Sequence, residues 1–402
     1  MNLIKKAGKI LQKDVCDHCL GRQFAQIGSG YTNDERGSII RSMTAKNAEI
    51  KINEKDLRKF KFDKTLIRPS ENIKCSVCGS FFDKKNMKKW LDKIQRASRG
   101  LDYETFKIGT KLSDSLISNE EGLWERTGID YCEPIKSEIN REIGKLIEKH
   151  LKKTFSALHQ DVTFILDIDN NKVNVEIKSI MFYAEYQKLK RGIPQTRWPS
   201  GKYKTSVEQI VAKPYLQRTG GTGTKFHGAG REDIDALCLG WRPFVLEILN
   251  PKKRLTLEEI RALVKKIPKS VKIRNLRFSD NKEIVELKEA KYEKSYKALV
   301  SCSTPIKKKD LGVISKLKRV ISQKTPERVL HRRADLTRNR RVLSIKTKYI
   351  NPKSFEITIR TESGTYIKEL ISGDNGRTQP NISNLLGIDC VCKKLDVTKI
   401  HI

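Results

Sequence analysis

Apolar residues recur at helical spacing at the start of the chain, where Leu3, Ile4, Ala7, Ile10 and Leu11 share one face of a short amphipathic helix. The spacing returns more strongly after Glu133. Ile135, Ile139, Ile143, Leu146, Ile147, Leu151 and Leu158 predict a long amphipathic helix. A period of two then replaces it: Val162, Phe164, Leu166 and Ile168 alternate before an Asn-Asn pair, and Val173, Val175 and Ile177 alternate after it, which predicts a β-hairpin. Ser206 and Gln209 carry the capping-box pattern that opens a further helix, so the basic, Gly- and Pro-punctuated segment before it is exposed loop. Beyond Gly230, strand-like KIRNLRF, SYKALV and SFEITIRT mix with helical TLEEIRALVKKI, the pattern of an α+β domain reaching the end of the chain.

With 402 residues the chain has room for two or three domains with their own cores. Hydrophobic residues at 37% and charged residues at 32% describe a folded, soluble protein with a heavily charged surface. No apolar run reaches transmembrane length and the first residues lack the features of a signal peptide, so a cytoplasmic protein with no membrane partner is expected. The net charge of +34 calls for an anionic partner, and a polyanion such as nucleic acid fits best because binding it releases counterions.

Four of the nine cysteines fall in two C-x-x-C pairs, Cys16 with Cys19 and Cys75 with Cys78. Two such knuckles present four thiolates to one zinc ion in a closed tetrahedron, which is a structural site with no open position for chemistry. A redox pair would need a βαβ unit around it, and neither pair has one. Gly79 suits the tight turn of the second knuckle.

The segment FHGAGREDIDALCLGWRPFVLEI places Glu232, Asp233 and Asp235 behind glycines and Arg231, in a chain otherwise dominated by positive charge. By residue type alone each acid is first a helix cap or a surface group. The glycines of GGTGTKFHGAG lack the G-x-x-x-x-G-K-[ST] pattern, so no nucleotide cofactor is expected. They suit a loop that lets a bulky substrate approach an acid.

GREDID resembles the glycine-arginine-x-aspartate motif of pseudouridine synthases, and KSYKALV from Lys294 to Val300 matches their lysine-x-tyrosine-x-alanine strand. SGTYIKELISGDNGRTQPN, Ser363 to Asn381, matches their third motif, with Lys368 where many members carry arginine. Together with LGWRPFVLEILNPKK, QTRW, QKTPERVLHRR and the two knuckles, the whole chain resembles the archaeal and eukaryotic tRNA pseudouridine synthase family that acts on uridines 54 and 55 of the T arm. It departs at Trp241, where a glycine is expected before the arginine, which bears on a local turn.

The resemblance implies a multidomain α+β protein: a zinc-stapled module over 1–92, a THUMP-like RNA-binding module over 93–182, and a catalytic domain over 183–402 built on a mixed, mostly antiparallel sheet. It implies an isomerase that breaks the C1′–N1 bond of a tRNA uridine, turns the uracil and rejoins it through C5, with no cofactor for the chemistry. Asp233 is implied as the acid that attacks C1′ or removes the 2′ proton, with Lys368 beside it as the orienting cation. Arg231 would help to hold the nucleotide out of its stack. Tyr296 would stack on the uracil and assist proton removal at C5, and Tyr366 would line the same pocket. Arg197, Trp198 and Lys202 in one loop, and Arg328, His331, Arg332, Arg333 and Arg338 in another, match the forefinger and thumb loops that pinch RNA; Lys307 to Arg341 carries thirteen Lys or Arg against three Asp or Glu. The first two modules would measure the distance from a remote part of tRNA to the target, and a monomer is expected. A zinc-containing tRNA-binding protein or chaperone without catalysis would need the basic loops but not Asp233, Tyr296 and Lys368 together. A THUMP-bearing methyltransferase would need a site for S-adenosylmethionine, and the sequence offers none.

Overall fold

In the computed structural model, which describes residues 3–46, 54–68 and 73–402, the chain divides into two units, Met1–Lys178 and Ser179–Ile402. The first unit runs through α1 (Leu3–Ile10), α2 (Asp17–Gly21), α3 (Asn33–Ala45), α4 (Lys84–Ala97), β1 (Thr105–Lys111), α5 (Asp114–Thr127), α6 (Ile135–Leu151), β2 (Thr154–Phe155), β3 (Val162–Asp167) and β4 (Lys172–Ile177). Its strands lie in the order β2-β1-β3-β4, with β1 parallel to both neighbours and β3 and β4 forming the expected hairpin. One core takes in Leu3 and Ile10 of α1, the knuckle cysteines Cys19, Cys75 and Cys78, Trp90 and Leu91 of α4, Ile139 and Ile143 of α6, and Phe164 of β3. The expected boundary at residue 92 therefore lies inside α4 and inside this core.

Helix α6 is shorter than its apolar pattern suggests. Lys152 adopts a left-handed conformation, φ 54°, which stops the helix. Thr154 and Phe155 then pair with β1. Leu158, expected on the helical face, is instead 80% exposed in the following loop.

The second unit begins with β5 (Ile180–Lys188), so the expected boundary at residue 182 falls within a strand. It continues through α7 (Val207–Thr219), β6 (Gly223–Gly228), β7 (Leu237–Leu249), α8 (Leu257–Leu263), β8 (Val271–Phe278), α9 (Asn281–Glu289), β9 (Glu293–Cys302), β10 (Val320–Lys324), β11 (Thr337–Asn351), β12 (Ser354–Thr361), α10 (Ile367–Ser372), β13 (Thr378–Gln379), α11 (Ile382–Leu386) and β14 (Cys390–His401). Ten strands make one sheet in the order β13-β10-β11-β12-β9-β14-β7-β5-β8, with β6 on the far part of β7. Every pairing is antiparallel except β14 with β7, which gives the mixed, mostly antiparallel sheet expected. Ser206 caps α7 as predicted, its hydroxyl accepting from the Gln209 N–H. Trp241 and Arg242 lie within β7, so no turn occurs where the missing glycine suggested one; the Trp241 ring carries the Arg274 guanidinium 4.3 Å from its centroid.

Candidate active site and metal centre

The three acids behind the glycines take three different environments. Glu232 is fully buried: it accepts from the Tyr186 hydroxyl at 2.8 Å and faces Arg242 Nε at 3.0 Å and Lys188 Nζ at 3.7 Å. Asp233 opens into a cleft of about 500 Å³, and Asp235 sits at its rim. Only packing sorts them, since none is a helix cap.

The loop that carries them, 229–236, is fixed through its main-chain carbonyls. Arg242 Nη1 donates to Ala229 O at 2.8 Å and Gln195 Nε2 to Gly230 O at 2.9 Å. Lys188, itself fully buried, donates to Asp233 O at 3.0 Å and Ile234 O at 3.2 Å, and Arg191 donates to Asp235 O at 2.7 Å. The glycines suit this inward packing, and Gly230 also lines the cleft. A Cβ on Gly228 would lie 2.9 Å from Gln195 Nε2, and Gly230 combines φ +77° with the Arg242 guanidinium 3.3 Å from the Cβ position.

Two cations flank Asp233. Lys368 Nζ lies 3.3 Å from Oδ2 and Arg328 Nη1 lies 3.4 Å from Oδ1. Lys368 is bound more closely to Asp235, at 2.8 and 2.9 Å, and Arg328 Nε to Glu369 at 2.6 Å. Burial would lift the Asp235 carboxyl, but the hydrogen bond and charge of Lys368 outweigh it and hold the group below the ordinary range. Desolvation likewise works against the Lys368 ammonium, and the two acids outweigh it and raise it above its usual value. Arg328 thus divides its guanidinium between Asp233 of the cleft and buried Glu369 behind it.

Tyr296 sits on β9 between Ile359 of β12 and Val397 of β14 and is 9% exposed where it lines the cleft. Burial pushes its phenol up to about 12, opposed by Arg242 and aided by Asp233, so it stays protonated at neutral pH. Tyr366 is clamped by buried Gln323, whose amide exchanges two 2.9 Å hydrogen bonds with its backbone, and its hydroxyl accepts from Arg333 at 2.9 Å.

Of the residues expected at the site, Arg231, Asp233, Tyr296, Tyr366 and Lys368 all line this cleft, as do Trp198, Arg328, Arg333 and Arg338 of the basic loops. Arg197, Lys202 and His331 are exposed and do not line it. The side chain of Arg332 lies outside the described residues. Arg340 and Glu369 were not singled out from the sequence; Lys294, Arg242 and Gln195 stood there only as letters of the quoted motifs, and Lys188 gave no chemical signal.

The two knuckles meet in the first unit. The sulfurs of Cys16, Cys19, Cys75 and Cys78 lie within 4.8 Å of one another, with Cys16 and Cys78 at 3.7 Å. None of the four is in a disulfide, and three are buried. Tetrahedral zinc with bonds of about 2.3 Å sets its sulfurs roughly 3.8 Å apart, so the donor set fits a metal ion. Among the described residues no helix is long and apolar enough to cross a membrane.

Asp233 with its two flanking cations and Tyr296 with Tyr366 thus share one basic cleft on the mixed sheet. The model of the Pus10 C-terminal region matches residues 182–401 and that of the archaeal Pus10 THUMP domain matches 90–167. The chain is 35% identical over 427 residues to the tRNA pseudouridine synthase Pus10 of Methanothrix thermoacetophila, covering 99% of this chain and 94% of that one. It is 38% identical over 430 residues to the Pus10 of Methanocaldococcus jannaschii, covering 98% and 93%. The chain belongs to the Pus10 family of tRNA pseudouridine synthases and is an isomerase. Among solved structures, a Cbf5-Nop10-Gar1 complex aligns over 54% of this chain and 48% of the matched chain, at 17% identity and a TM-score of 0.32.

Proposed function

We propose that this isomerase converts uridine 55, and with it uridine 54, in the T loop of tRNA to pseudouridine, acting as a cytoplasmic monomer without a nucleotide cofactor. The observation that carries the reading is the Asp233 carboxylate in the cleft, with Lys368 at 3.3 Å and Arg328 at 3.4 Å. The two cations hold the carboxylate by its two oxygens, and a carboxylate is what either route needs. It can bond to C1′ as the C1′–N1 bond breaks, or take the 2′ proton; the uracil then turns, C5 bonds to C1′, and the C5 proton is lost as N1 gains one. The protonated Tyr296 phenol supports a stacking role against the uracil more than that of a free base. Tyr366 closes the same pocket, and Arg231 stands at its edge to hold the extruded nucleotide, whose unstacking costs a few kcal/mol. Trp198 and Arg197 with Lys202 form one RNA-gripping loop, and His331, Arg332, Arg333 and Arg338 the other.

The first unit, Met1–Lys178, docks on a distant part of the tRNA in this reading, leaving Ser179–Ile402 for catalysis. Cys16, Cys19, Cys75 and Cys78 hold one structural zinc ion, which takes no part in the reaction because a four-thiolate shell has no open position. The purified protein is expected to carry about one equivalent of zinc, and Cys75→Ser to lose most of it; full retention in that variant would reject the ligand set. The central test is incubation of the wild-type protein with an unmodified tRNA transcript and mapping by carbodiimide-dependent primer extension. Stops at positions 54 and 55 are expected. A transcript without a stop in the T loop would overturn the proposed target.

A further inference from the structure

Away from Asp233, the cleft holds a group of cations that has no acid of its own. Arg340 on β11 and Lys294 on β9 both line it, as do Ser363 and Gly364 of the turn after β12. Lys294 Nζ lies 3.4 Å from Ser363 Oγ. The Arg340 guanidinium packs over Gly364, where a Cβ would come within 3.3 Å of its Nε, and Gly364 has φ +80°. A side chain at this position would be strained and would push the guanidinium away.

The donors of this group are poorly used. Arg340 Nε is shielded from solvent and has no hydrogen-bond partner, while Nη1 reaches the carbonyl of its own neighbour, Asn339, at 2.8 Å. Lys294 donates to Tyr292 O at 2.9 Å. Neither cation has a carboxylate within ion-pair distance among the described residues, whereas Arg242, Arg328 and Lys368 each face one. Burial first, and the charge of Arg242 second, push the Lys294 ammonium down to about 8, the mark of a cation in want of an anion. A guanidinium, an ammonium and a hydroxyl that line one part of the cleft without an acid of their own suit a tetrahedral oxyanion.

We propose that Arg340, Lys294 and Ser363 form a seat for one phosphodiester adjoining the target uridine. The inference rests on the function proposed above, since an RNA strand is what brings phosphate into this cleft. The seat fixes the backbone on one side of the nucleotide while Asp233 meets the ribose on the other. It therefore acts as a positioning site whose loss is felt in the chemical step more than in the affinity for whole tRNA, which many other phosphates share.

Single-turnover assays on the full-length protein test this with RNAs carrying one uncharged methylphosphonate, either 5′ or 3′ of the target uridine. Wild type is expected to lose about 10- to 100-fold at one of the two linkages, the range of a charge-assisted contact. Arg340→Ala should lose a similar factor on all-phosphate RNA and nothing further at that linkage, with Arg340→Lys recovering part of the rate. Equal rates for all three RNAs in wild type would overturn the seat, as would losses in Arg340→Ala that multiply with those of both linkages. The wild-type series needs no variant to fold. If wild type isomerises none of these RNAs, the functional reading fails and the seat with it, whereas active but equal rates overturn the seat alone.

Discussion

Asp233→Asn is expected to abolish pseudouridine formation while leaving tRNA affinity close to wild type. Asparagine keeps the shape of the side chain but can neither bond to C1′ as a carboxylate nor take the 2′ proton. Loss of a positioned base alone costs about a hundredfold to ten-thousandfold, and a group that also has the option of covalent attack belongs at the upper end or beyond. Asp235→Asn provides the contrast. Lys368 now sits 2.8 and 2.9 Å from Asp235 and 3.3 Å from Asp233, so removing the outer acid leaves the ammonium to its inner partner, and a mild loss is expected. Single-turnover rates and binding constants for both variants separate the two acids. Wild-type turnover in Asp233→Asn, or silence in Asp235→Asn alone, would reverse the assignment.

Arg242→Met is expected to destabilise the catalytic unit by about 3 kcal/mol, because it leaves the charge of a buried acid stranded with only Lys188, at 3.7 Å, and the Tyr186 hydroxyl. Glu232 has no access to water, and Arg242 faces it at 3.0 Å with both side chains fully buried. The substitution also removes the donor to Ala229 O. Adding Glu232→Gln should recover part of the loss by removing the stranded charge. Denaturant unfolding followed by circular dichroism measures both variants, and a loss below about 1 kcal/mol in the single variant would mean that Glu232 finds water or a new partner.

The helix and strand periods were legible where local sequence decides them: the hairpin from Val162 to Ile177 and the capped start of α7 follow from residues a few positions apart. The knuckles were legible for the same reason, because each C-x-x-C pair is preformed by its own turn. Leu158 misled because its apolar character fits a helical face, while the left-handed Lys152 that ends the helix carries no residue-type signal. The three acids were the hardest to sort. Glu232, Asp233 and Asp235 differ in role only through Lys188, Arg242 and Lys368, which reach them from distant strands and a short helix. Arg340 lay hidden for the same reason, and Lys294, the lysine of KSYKALV, showed its motif but not its place in the cleft, two strands away from Arg340 in the sheet.

The carbonyls of residues 229, 230, 233, 234 and 235 are held from outside the loop by Arg242, Gln195, Lys188 and Arg191. The acid is thus mounted by its backbone, like a part set in a socket whose fittings belong to the frame. Substitutions at outward-facing loop positions such as Arg231 can change the substrate side of the cleft without moving the mount. The reverse holds for Lys188, 45 residues upstream and out of contact with solvent. Efforts to retarget the enzyme therefore have freedom within the loop and very little in the four side chains that hold it.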